Sequence, residues 1–146
     1  FKFPRRMRFV RQLPTNEQGK TTVQSVRSLL NNWSEEPVVL SWKATADDLT
    51  ARLVFPKDMK CFQGHFPSFP VLPGVAQLFF LRYFSTQVFS DFPETVTYKR
   101  LKFQKVILPS KEVTLVVARK GEGSFGFSIL GESGMCSSGI VERSVL

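Results

Sequence analysis

Histidine is almost absent from this 146-residue chain, with His65 the only one. Cysteine is scarce too: Cys61 and Cys136 are the pair. One histidine and two distant cysteines give no ligand spacing, so no metal is expected. Two cysteines make no disulfide framework. They read as small buried thiols in a reducing compartment. Acids number 12 against 20 Lys and Arg, and none lies between Cys61 and Ser90. No segment reaches the roughly 20 apolar residues of a membrane-spanning helix. The charged start is followed by no apolar stretch of the kind a signal peptide carries. The chain begins at Phe1 rather than Met, which suggests a natural start further upstream. Internal repeats are lacking as well.

What is present is phenylalanine, 15 in all, and a lopsided positive charge. Residues 1–33 hold seven Lys or Arg and one acid, so they carry +6 of the net +8. Residues 1–20 therefore read as a basic, flexible arm, and residues 21–146 as a single domain. The arm has no nucleic-acid-binding motif, and no nucleic-acid partner is expected. Helical spacing of Val23, Val26, Leu29, Leu30 and Trp33 predicts a short helix at 21–33.

The chain is organised around residues 61–89. Pro67, Pro70 and Pro73 stiffen the first half into a non-helical loop that holds His65. Pro73 suits a helix start, and the residues from Gly74 to Phe89 predict one buried helix, apolar on nearly every side. Gln77 and Arg82 interrupt it and are expected at a subunit seam or in solvent, with pocket polar groups as the alternative. A hairpin precedes this unit, with Val38, Leu40, Trp42 and Ala44 alternating in one strand and Leu49, Ala51, Leu53 and Phe55 in the next. Four strand-like runs follow, at 95–108, 112–120, 124–130 and 135–145. The order hairpin, helix, meander is α+β.

Two blocks carry a resemblance. Phe62-Gln63-Gly64-His65-Phe66-Pro67 with Pro70-Val71-Leu72-Pro73-Gly74-Val75 resembles the signature of the β-hydroxyacyl-(acyl-carrier-protein) dehydratases. Lys102-Phe103-Gln104 through Leu108-Pro109-Ser110 is similar to that family's strand and turn after the helix. The phrase Leu72-Pro73-Gly74-Val75-Ala76-Gln77-Leu78 is nearest the branch associated with aryl-polyene pigment synthesis. The resemblance covers residues 37–143. It implies a hotdog fold, an antiparallel sheet wrapped around one long central helix. It also implies a dimer, cytoplasmic location, no cofactor, and an acyl carrier protein bringing a 3-hydroxyacyl thioester.

It further implies roles. His65 is the base, its ordinary pKa of about 6.5 suiting proton abstraction. The Gly74 and Val75 amides stabilise the developing oxyanion at the helix start. The family's Asp or Glu, five residues beyond the glycine, is replaced here by Phe79. Tyr83, one turn further on, is a substitute donor. Lys99, Arg100, Lys102 and Lys105 are candidate carrier-protein contacts, or else a solvated strand face. Lyase activity on fatty-acid or polyene-type chains is the first reading. A non-catalytic acyl-binding or partner subunit, pairing with an acid-bearing paralogue, is the second. A hotdog thioesterase is the third.

Overall fold

The computed structural model describes residues 36–62 and 70–144. The arm, the helix expected at 21–33 and the loop 63–69 with His65 lie outside them. The chain runs β1 (Val38–Ala44), β2 (Asp48–Val54), a 3-10 turn (Lys60–Phe62), α1 (Gly74–Val88), β3 (Val96–Phe103), β4 (Glu112–Gly121), β5 (Ser124–Gly131) and β6 (Gly134–Arg143). The strands form one antiparallel sheet in the order β1-β2-β4-β5-β6-β3.

Period-two alternation makes one face of this sheet apolar. Leu49, Ala51 and Leu53 of β2, Val113, Leu115 and Val117 of β4, and Phe125, Phe127 and Ile129 of β5 are all buried. On α1, Gln77, Phe80, Leu81, Phe84 and Ser85 are buried, the i, i+3, i+4, i+7 spacing of one helical face. Phenylalanines weld the helix and the loop after it to the sheet. Phe80 meets Phe55 at 5.3 Å between ring centroids, and Phe84 meets Trp42 at 5.6 Å. Phe89 and Phe92 reach Phe125 at 4.8 and 5.2 Å. Such tilted contacts add to the area each ring removes from water.

Three expectations need correction. The alternation in β1 groups Leu40 with Trp42, but a bulge falls between Val39 and Ser41. Leu40 is the extra residue and is exposed, so Val39 and Trp42 both turn to the core. The strand expected at 95–108 stops at Phe103. Gln104 and Lys105 both donate their amides to Cys136 O, at 2.8 and 3.2 Å, and the chain leaves the sheet there. Finally, α1 is not covered on every side within this chain: Val75 is 76% exposed and Phe79 60%.

Candidate functional site

The start of α1 is built by the residues around it. Pro73 is the N-cap, extended at φ −63° and ψ 151°, and no side chain caps the helix. Gln77 N donates to Pro73 O at 3.0 Å, which closes the first turn. The amides of Gly74, Val75 and Ala76 therefore have no acceptor within the helix. No acid stands in the first turn to neutralise the positive end. Two ties fix the approach to it. Leu72 N donates to Ile107 O at 2.8 Å, strapping the segment to the chain beyond β3. Gln77 Nε2 donates to Leu72 O at 3.1 Å. Gln77, expected at a seam or in solvent or else as a pocket polar group, is only 4% exposed, and among the described residues its Oε1 has no partner. Arg82 is likewise a structural tie, donating to Glu94 O at 2.7 Å and to Pro93 O at 3.4 Å.

Gly74 makes a close approach possible, and Phe103 takes it. A methyl group on Gly74 would lie 2.9 Å from Phe103 Cζ, so the ring rests against the helix start. The half-exposed Phe103 ring is, among the described residues, the nearest neighbour of the Gly74 backbone. Phe79 lies one turn beyond Val75, stacked on Tyr83 with centroids 6.3 Å apart and planes 18° off parallel. The half-buried Tyr83 hydroxyl donates to Glu36 Oε1 at 3.4 Å. Glu36 is a carboxylate that sequence reasoning missed. It comes from just before β1, and nothing in the helix pattern points to a residue 47 positions away.

The basic cluster is divided. Lys99 pairs with Glu142 at 2.8 Å, and Lys105 donates to Ser133 O. Arg100 and Lys102 remain together, facing a groove on the sheet. Burial pushes the Cys61 and Cys136 thiols up from their ordinary pKa, which keeps both protonated and poorly nucleophilic. Among the described residues no three His, Cys, Asp or Glu cluster as metal ligands, and no helix is long and apolar enough to cross a membrane.

A profile of the ApeI-like family, described as ApeI dehydratase, matches residues 41–140. The chain belongs to the ApeI-like dehydratase family. Solved structures agree on the fold. A structure described as the dehydratase heterocomplex ApeI:P from Xenorhabdus doucetiae aligns over 73% of this chain and 96% of its own, at a TM-score of 0.67 and 20% identity. An uncharacterized protein from Erwinia carotovora subsp. atroseptica covers 73% of this chain and 94% of its own, with 32% identity and a TM-score of 0.59. The dehydratase domain of a mycocerosic acid synthase-like polyketide synthase covers 77% of this chain and 39% of its own, at 19% identity and a TM-score of 0.55. No curated protein sequence matches the chain. The fold of this ApeI-like chain is the hotdog, a six-stranded antiparallel sheet around one helix. The expected site residues divide accordingly. Gly74, Val75, Phe79 and Tyr83 share α1, and Lys105 lies past the end of β3.

Proposed function

We propose that this chain is a lyase that removes water from a 3-hydroxyacyl thioester carried by acyl carrier protein, in the cytoplasm. The observation that supports it is the uncapped start of α1, with no acid in its first turn, immediately after the loop that carries His65. His65 takes the C2 proton. The Gly74 and Val75 amides stabilise the negative charge that builds on the thioester oxygen. The electron pair left at C2 forms the new double bond, and the C3–O bond breaks. The departing hydroxyl is protonated either by the His65 imidazolium, in a syn elimination, or by Tyr83, whose hydroxyl is held by Glu36. The balance closes on an enoyl thioester and water, with no cofactor. Val75 and Phe79, exposed on one side of α1, and the edge strand β3 are the surfaces that a second copy would cover.

A second reading is favoured by one position. Phe79 occupies the place of the family's acid, so the chain would be the partner of an acid-bearing dehydratase-like subunit. The ApeI:P structure is itself a heterocomplex. One experiment separates the readings. Wild type and His65→Ala are assayed on 3-hydroxyacyl carrier-protein substrates of several chain lengths, alone and with an acid-bearing paralogue. Conversion by wild type alone, lost in His65→Ala with unchanged melting, is the expected result. Inert wild type at every chain length overturns the lyase, and activity appearing only in the mixture supports the partner subunit.

A further inference from the structure

Strands β3 to β6 carry a concavity of about 390 Å³ on the face of the sheet opposite the core. Arg100, Lys102 and Lys120 line it, with the Ser128 and Ser138 hydroxyls and the apolar side chains of Val116 and Ile140. No carboxylate lines it. Its cations differ from three other basic residues of the sheet. Arg52, Lys99 and Arg119 are paired with Glu112, Glu142 and Asp91. Among the described residues Arg100, Lys102 and Lys120 make no ion pair and no side-chain hydrogen bond.

Two backbone irregularities serve the same groove. A bulge between Lys99 and Lys102 interrupts β3, and Arg100 within it has φ 52°, uncommon for any residue but glycine. Bulges re-aim side chains, and this one leaves Arg100 and Lys102 lining one cavity while Leu101 packs on the core. In β5, a methyl group on Gly126 would fall 2.6 Å from Lys120 Cε. The bare glycine lets the Lys120 stem lie across the strand and carry its ammonium to the groove.

We propose that this groove binds a small organic polyphosphate. Three uncompensated cations in one concavity call for a ligand of at least two negative charges. The Arg100 fork matches phosphate oxygens, and the two hydroxyls add donors. The apolar floor takes the organic part. A cavity of this size belongs to the range of small-ligand sites, about 300–1,000 Å³, and its three cations share one concavity. The groove lies across the sheet from α1, so its failure would leave the chemistry proposed at the helix start untouched, and the reverse.

The test is an amide NMR titration of the full chain with ADP, AMP and inorganic pyrophosphate at constant ionic strength. ADP is expected to give saturable shifts clustered at 126–128 and 138–140, with AMP weaker and pyrophosphate intermediate. Arg100→Gln and Lys102→Gln should each weaken ADP binding about ten-fold, and Lys105→Gln, outside the groove, should leave it unchanged. All three side chains are exposed, so melting should not move. Shifts that never saturate, or equal weakening by Lys105→Gln, would reduce the effect to nonspecific charge and overturn the proposal. Binding of a poly-glutamate peptide through Arg100 and Lys102 with no response to ADP would overturn it in favour of an acidic protein partner.

Discussion

On the proposed lyase reading a phenylalanine stands where the family's carboxylate would be, on the face of α1 that a second copy would cover. Phe79 is 60% exposed in the single chain, so a carboxylate there is hydrated in a monomer and loses water where a second copy covers it. Phe79→Glu is expected to raise the dehydration rate, by as much as about 10²–10⁴ if general acid assistance is restored, and to lower the melting temperature of a dimer unless the carboxylate finds a hydrogen bond. A turnover assay beside a thermal melt checks both. Tyr83 is the native alternative. Tyr83→Phe removes the hydroxyl that donates to Glu36 and should lower kcat about ten-fold or more, with KM unchanged, if the phenol is the donor. In the Phe79→Glu background the same change should cost far less. An equal loss in both backgrounds would assign Tyr83 a purely structural part.

Among elements, the exit of α1 is clamped by one side chain. Arg119 of β4 meets Asp91 at 2.5 and 3.0 Å and Asp47 of the β1–β2 turn at 3.3 Å, over the rings of Phe125 and Phe89. The Arg119 hydrogen bond holds the Asp91 carboxyl below its ordinary pKa. The stabilisation is thus present above the unfolded carboxylate pKa of about 3.9 and is lost as pH falls through the lower folded value. Melting curves between pH 7 and pH 3 should show wild type losing stability at the acid end, with a shallower loss in Asp91→Asn. Arg119→Met should lower the melting temperature at pH 7. Hairpin, helix and four strands were legible in the sequence because alternation and helical spacing are local. The bulge at Leu40 was not, since it is a matter of register with β2. Nor were Gln77 on Leu72 O, Phe103 on Gly74, or Glu36 on Tyr83, because each is a tertiary contact between segments whose own patterns are satisfied without it.

For the whole molecule, the exposed Val75 and Phe79 and the unpaired edge of β3 predict a dimer. Light scattering in dilute solution should give twice the 16.6 kDa of one chain, and a monomer alone would count against the two-subunit site. Deleting residues 1–20, charged and without apolar period, should shift the melting temperature little. A large drop would place the arm within the folded body. The strand order also bears on synthesis. Among the described residues β3 pairs only with β6, the last of the six strands, although it is made before β4 and β5. While the ribosome adds the next stretch, β3 waits for its partner β6, which begins at Gly134. A chain released early, at Gly131, would keep α1, the paired strands β1, β2, β4 and β5, and an orphan β3. Such a product should aggregate or be degraded, so the fold carries its own check for complete translation.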